Sequence, residues 1–339
     1  MFSNTRENLS AWSSRRWPEW KSALWRTTLL AWRSLAAKMS DDVGGSVMAA
    51  PSRESPAMQE FDAVYQRYGP HRAGLPPLVT YFQELWHRRA FAAEMSKAGM
   101  RANHTSTFFG QAWLILNPLL LAGVYYLLVT IIRGQHDPAL FTHLTLALFA
   151  FTLVSTAVTS GATSVTDAGG LLINTAFPRL LIPLSAVRTA FFRFLPTVPV
   201  YLAFHIAFGN PWHLRMVLAL YFLAAMVVFG MGLAAFFATL QVYFRDTASF
   251  LPYLVRVWMY VSPVVWLPES LKHFPRAVTT WIELNPMYSM VGGYTDLIRE
   301  GVYPPPSMWI SSGTWALAAA VGGFFFFMSN ERNFVVRLD

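Results

Sequence analysis

The chain has 339 residues, 54% of them hydrophobic and only 13% charged, against roughly 25% charged residues in an average soluble domain, so a bilayer is the solvent that its composition suits. With no cysteine, a disulfide framework, a thiolate metal site and a thiol nucleophile are all excluded. The net charge of +8 points to membrane topology and anionic lipid heads and not to nucleic acid, because basic residues that flank apolar spans set orientation.

The first 25 residues mix charges with tryptophans and lack both an apolar core and a small-residue cleavage site, so no signal peptide is expected and the N-terminus is expected to stay in the cytoplasm. Residues 12–39 place Leu24, Trp25, Leu29, Trp32, Leu35 and Met39 on one helical stripe and Arg26, Arg33 and Lys38 elsewhere. That is the pattern of a helix lying in a membrane interface. Met48 and Met58 are alternative starts of the working protein. Residues 40–77, rich in Gly, Pro, Ser and charge, read as a flexible linker. Helical periodicity returns over 78–100 through Leu78, Phe82, Leu85, Trp86, Ala93 and Met95, which predicts an amphipathic helix on the cytoplasmic face. The expected division is an extension at 1–77, an interfacial helix at 78–110 and a transmembrane domain at 111–339.

Six stretches approach the 20 or so apolar residues that a rise of about 1.5 Å per residue needs to cross roughly 30 Å of hydrocarbon. In chain order they are 113–132, 140–162, 184–208, 216–240, 250–267 and 307–328. Between the last two, 271–284 and 286–300 are apolar on one side but too short and interrupted to cross, which predicts re-entrant or interfacial helices. The predicted fold is all-α: a polytopic membrane protein with six transmembrane helices, an N-terminal cytoplasmic amphipathic helix and short re-entrant outer helices between spans 5 and 6. Six spans put both termini on one side. Residues 1–110 hold 14 of the 26 Lys and Arg residues, with Arg88, Arg89, Lys97 and Arg101 close to the first span, so that side is predicted to be cytoplasmic.

Proton-transfer chemistry at a membrane surface needs carboxylates or a histidine within hydrogen-bond reach, and this chain is poor in them. Asp137 is alone in the first outer loop, and His136 and His143, seven apart, have no third ligand, so zinc is not expected. No GxxxxGK[ST] occurs, and ATP, if it powers the protein, is bound by another chain. "GMGLAA" (230–235) lies inside an apolar span with no preceding strand and reads as close helix packing by small residues, not as a dinucleotide loop. "NHT" at 103–105 falls on the predicted cytoplasmic side, where glycosylation does not apply.

Five motifs in order carry a resemblance: "MRANHTSTFFGQAWLILNPLL" (100–120), "LLINTAFPRLLIPLS" (171–185), "RD" (245–246), "SPVVW" (262–266) and "LNPM" (284–287). From about residue 85 to the C-terminus the chain resembles ABC-2 type permeases that export lipid-linked polysaccharides such as O-antigen, teichoic acid or galactan. It departs from that pattern in its N-terminal extension of about 80 residues and in "YTDLI" (294–298), where the family more often has a basic residue after its aromatic. The resemblance implies a bacterial inner-membrane permease, not an enzyme, with no cofactor of its own. It implies a second copy of the chain and two ATP-binding subunits that hold ATP and Mg as partners, with a lipid-linked polysaccharide and membrane lipid as the other contacts. A membrane-embedded glycosyl- or acyltransferase is the rival, and it needs surface acids or bases that the sequence does not supply. A small-ion channel is disfavoured because no ring-forming charged motif stands within a span.

Pro178 and Pro183 each disfavour helix in the residue before them and remove an amide donor, so the chain is expected to turn there, with one or two helical turns between them. The resemblance makes this elbow the coupling segment that meets the ATPase, with Asn174, Phe177, Pro178, Arg179, Leu180 and Pro183 as its residues. An arginine at mid-membrane costs about 2.5–3.5 kcal/mol on insertion scales and asks for a partner or an escape route. Arg188 is shallow enough to snorkel. Arg193 lies five residues deeper and either snorkels or, with Arg256 and Arg188, meets the phosphates of a lipid-linked sugar, whose oxygens a guanidinium fork matches. The many aromatic residues form interfacial belts and pack helices, and the resemblance implies that some of Tyr125, Tyr126, Phe149, Trp258 and Tyr260 line a conduit for the sugar polymer.

Overall fold

The computed structural model describes residues 77–102, 110–134, 138–174, 177–268, 275–334 and 337. The predicted interfacial helix at 12–39, nearly all of the linker, the "NHT" triplet, His136 and Asp137 lie outside these residues. Among the described residues every regular element is helical, as the apolar composition predicts, because a helix satisfies all its backbone groups within one segment and lipid offers them no partner.

The amphipathic stretch after residue 77 is two helices, α1 (Leu78–His87) and α2 (Arg89–Ala102), parted by a turn at Arg88. The face they bury overlaps the predicted stripe in part. Leu85 and Met95 pack with the buried Tyr81 against the bundle, Ala92 and Ser96 are buried too, and Leu78, Phe82 and Trp86 are exposed, so the helices carry apolar side chains on both faces, one toward the bundle and one outward.

Five helical stretches are long and apolar enough to cross a membrane: Trp113–Ile131, Leu140–Asp167, Leu181–Ala207, Leu214–Tyr243 and Pro306–Asn333. They are built from α3 (Trp113–Arg133), α4 (Pro138–Asp167), α6 (Leu181–Phe194) with α7 (Thr197–Ala207), α8 (Ala219–Tyr243) after a 3-10 turn (Leu214–Leu218), and α12 (Pro306–Asn330). A six-residue helix, α5 (Gly169–Asn174), separates α4 from the elbow. The third span is interrupted between α6 and α7, where Pro196 has no amide to donate.

The fifth expected span, 250–267, is shorter than its hydropathy suggests. Its helix, α9 (Thr247–Val261), has 15 residues, about 22 Å at helical rise. It stops because Ser262 precedes Pro263 and is extended, with φ −94° and ψ 155°. The chain then turns through 262–266 and, beyond the described gap, forms α10 (Arg276–Glu283) and α11 (Pro286–Thr295), which continues as a π-helical turn (Asp296–Glu300). These two short helices occupy the predicted re-entrant stretches. α11 is almost wholly buried from Met287 to Thr295, while α10 has no buried residue.

The enclosed centre is α4, 78% of whose apolar stretch is buried, against 22% for those of α3 and α12. α8 packs on α4 and on α12, at distances set by small residues. A Cβ at Gly232 would lie 2.1 Å from the Ala319 carbonyl oxygen, and one at Gly323 would lie 2.0 Å from that of Gly232. The "GMGLAA" stretch is thus a close helix crossing, as its letters inside an apolar span predict.

Candidate functional site

The elbow lies at the end of the bundle where α4, α8 and α12 finish and α6 begins. Pro178 and Pro183 do not bracket a helix of their own. The short helix α5 precedes Pro178, and Pro183 is the third residue of α6, within the first turn, where a helix has no intrahelical use for the missing amide. The turn closes through Leu181 N to Pro178 O (3.1 Å) and Ile182 N to Arg179 O (3.0 Å).

The coupling residues sit at this end with different exposures. Pro178, Leu180 and Pro183 are buried and Phe177 and Arg179 half-buried, while the side chain of Asn174 lies outside the described residues. Phe177 leans on Phe91 of α2, ring centroids 5.0 Å apart. Arg179 donates through a terminal nitrogen to the backbone oxygen of Glu331, just past α12.

Tyr81 of α1 holds the arrangement together. Its hydroxyl donates to Glu331 Oε2 (2.7 Å) and faces the Leu180 amide at 3.4 Å. Burial, and then the Glu331 carboxylate, push the Tyr81 phenol above its ordinary range, so it stays protonated and remains a donor. Thr189 Oγ1 donates to Ser96 Oγ of α2 at 2.9 Å, a second tie between α2 and α6. Sequence reasoning missed Tyr81 and Glu331. The available signals were a polar-tipped aromatic inside an amphipathic run and an acid immediately after an apolar span.

The "RD" turn between α8 and α9 is closed by Gln241, which accepts from Ala248 N (2.6 Å) and donates to Arg245 O (3.0 Å). Arg245 and Asp246 themselves are exposed.

The three arginines do not form one cluster. The guanidinium carbon of Arg188 stacks 5.2 Å from the Phe192 ring centroid, and Arg256 is exposed on α9. Arg193, in the last turn of α6, lines a cleft of about 250 Å3 with Trp113, Asn117, Thr152, Thr156 and Thr197, and neither Arg188 nor Arg256 lines it. The Arg193 Nε is buried without a hydrogen-bond partner.

The five aromatic candidates also divide. Phe149 is buried in the core. Tyr125 is buried and its hydroxyl meets that of the exposed Tyr260 at 2.9 Å. Tyr126 packs edge-on against Phe141, centroids 5.3 Å apart.

Trp258 packs against Phe151 and Phe229, and its Nε1 donates to Asn285 Oδ1 at 2.8 Å. Asn285 in turn donates to Ser262 Oγ (3.0 Å) and accepts from Met287 N (3.1 Å), capping α11. The "SPVVW" and "LNPM" motifs are therefore one structure, a side-chain joint between the end of α9 and the start of α11.

Among the described residues no three His, Asp or Glu side chains stand together as a metal site. No family profile matches the chain. It is 28% identical over 229 residues to the O-antigen export system permease protein RfbA of Myxococcus xanthus, over 67% of this chain and 87% of that one. To two proteins of the same name from Klebsiella pneumoniae it is 28% identical over 204 and 203 residues, 60% of this chain in each case and 78% and 77% of theirs. These likenesses, to proteins named as O-antigen export permeases, bear out the resemblance read from the five motifs.

Proposed function

We propose that this chain is the membrane permease subunit of an ABC transporter that exports a lipid-linked polysaccharide across the bacterial inner membrane, powered by ATP and Mg bound in separate subunits. The observation that carries this reading is the likeness to three export permeases over most of their length, together with helices long enough to span a bilayer. The transferase alternative has no comparable support.

In mechanism, the elbow at 177–183 and helices α1 and α2 are the cytoplasmic face that receives force from the ATPase, and both termini lie on that side. Phe177 and Arg179 are the half-exposed residues of the elbow and make the contact. Pro178, Leu180 and Pro183 hold its shape from within, and Asn174 completes it. The ties from Tyr81 and Arg179 to Glu331 pass a push on the elbow to α1 and to the end of α12.

The assembly has two copies of this chain and two ATPase subunits. The exposed apolar faces of α3 (Val124 60%, Ile131 69%) and α9 (Tyr253 70%, Val257 61%) meet lipid and the second copy, and Tyr126, Tyr260 and Trp258 flank the conduit between copies. α10 and α11 gate its outer end.

The test is a pull-down of the tagged chain in mild detergent. A P-loop ATPase is expected to come with it, and Phe177→Asp and Arg179→Glu are expected to lower ATPase retention and glycan delivery at least tenfold while the variants still purify as folded protein. Unchanged docking and delivery in both variants, or sugar transfer by the isolated chain, would overturn the reading.

A further inference from the structure

The last turn of α6 carries a guanidinium whose Nε has no partner among the described residues. Arg193 stands about 18 Å along its helical stretch from Leu181, and its cleft is lined also by Trp113 and Leu114, where the first apolar stretch begins. The residues that line its cleft include no Asp or Glu. The polar ones are neutral and short: Asn117, Thr152, Thr156 and Thr197. Among the described residues this guanidinium has no carboxylate beside it, which leaves it open to an anionic ligand. The open Nε is also the atom that a guanidinium uses, paired with a terminal nitrogen, for two parallel bonds to phosphate oxygens.

A second cleft of about 310 Å3 shares a wall with the first, since Phe149, Phe194 and Thr197 line both. It is apolar, running past Val198, Leu202, Leu220, Leu223 and Ile298. One compartment presents a cation and neutral donors, and its neighbour presents hydrocarbon. Together they match an amphiphile with an anionic head and a long chain.

We propose that Arg193 binds the phosphate of a long-chain lipid, whose chain lies in the apolar cleft beyond Phe149 and Phe194. The cleft is then a station for the head of the exported lipid. That transport role rests on the export reading, whereas the binding itself requires no ATPase.

Full-length protein in uncharged detergent, titrated with phosphatidic acid, diacylglycerol and inorganic phosphate and read by native mass spectrometry, tests the inference. Phosphatidic acid is expected to bind at least tenfold more tightly than either of the others. Arg193→Met is expected to lose tenfold or more of that affinity, and Arg193→Lys to keep part of it. Without lipid, Arg193→Met is expected to melt at or above the wild-type temperature, because it removes a half-buried guanidinium whose Nε has no partner among the described residues.

Equal phosphatidic acid binding by wild type and Arg193→Met overturns the inference. So does diacylglycerol binding as tightly as phosphatidic acid, which means that phosphate is not read. Inorganic phosphate binding as tightly as the lipid makes the cleft a free-anion site and removes the lipid from it. A lower melting temperature in Arg193→Met makes the guanidinium an internal structural group and overturns it too. Phe177→Asp and Arg179→Glu leave this binding unchanged, and Arg193→Met leaves ATPase docking unchanged, so the lipid site and the export reading fail separately.

Discussion

The α8–α12 crossing and the α9–α11 joint hold helices together by opposite means. At the crossing, backbone touches backbone: Gly232 faces the Ala319 carbonyl, and Gly323 faces the carbonyl of Gly232. At the joint, Asn285 reaches Trp258 and Ser262 through side-chain hydrogen bonds. Backbones in contact pack many atoms without rotamer freedom to lose and give no room for sliding, which suits a scaffold in lipid, where packing and not the hydrophobic effect joins helices. A side-chain joint depends instead on a few directional bonds, each lost with a single side chain. The comparison sets close backbone packing at the centre of the bundle against a hydrogen-bonded joint on its α9–α11 side.

The strongest way to break that comparison is to put a methyl group where backbones meet. Gly232→Ala places a Cβ 2.1 Å from a carbonyl oxygen, and separating α8 from α12 is expected to cost about 3 kcal/mol. Gly123→Ala on α3, where nothing lies within 4 Å, is expected to be neutral or to stabilise by up to about 1 kcal/mol through helix propensity alone. Thermal unfolding in detergent compares the two. Equal behaviour of these variants would mean that the crossing is loose in solution and the scaffold reading wrong.

Asn285→Ala addresses the other half of the comparison. It removes the α11 cap and strands Trp258 Nε1, with an expected loss of about 2 kcal/mol. The damage should be local. Hydrogen exchange is expected to rise over 262–267 and 286–295 and to stay unchanged across α8 and α12, and a loss of protection in α8 would show that the joint and the crossing are one cooperative unit.

Much of this was legible in advance for physical reasons. Apolar length alone locates the five long helical stretches, because lipid permits little else, and small residues within an apolar run mark the α8–α12 crossing. The fifth stretch reads longer than its helix because Val264, Val265, Trp266 and Leu267 extend the apolar run, whereas the end of α9 is decided by the backbone of Ser262 before a proline. The elbow was located but its helix misplaced, since a proline three residues into a helix looks in sequence like one that ends it. The Tyr81–Glu331 bond joins residues 250 positions apart, and no local pattern encodes such a pair.

That bond sets up a third region with some of both characters, a side-chain tie onto a buried elbow. Tyr81→Phe keeps the ring and loses the donor, with an expected cost of about 1.5 kcal/mol because the acceptor is a carboxylate. The phenol is held above its ordinary value in the folded state, so its contribution is complete below pH of about 10 and is lost as the pH climbs beyond that toward the raised folded value. Wild type is therefore expected to lose stability in alkali that the Phe variant does not lose. Parallel alkaline melting curves for the two would show that the hydroxyl is solvated and the tie absent.

The smallest effect concerns the link from α3 to α9. Tyr125 and Tyr260 share one hydroxyl–hydroxyl bond at 2.9 Å and an edge-to-face ring contact with centroids 6.1 Å apart. Interhelical hydrogen bonds in membranes average about 0.6 kcal/mol, because the alternative state also finds partners. Tyr125→Phe and Tyr260→Phe are each expected to cost about that much, and the double variant no more than either single one, since both remove the same bond. Additive losses would mean that each hydroxyl has a separate partner and that α3 and α9 are tied independently to the rest. A bond this weak sets the resting position of α9 against α3 without resisting displacement, so the single variants should leave glycan delivery near wild type, whereas Gly232→Ala should lower it together with the melting temperature.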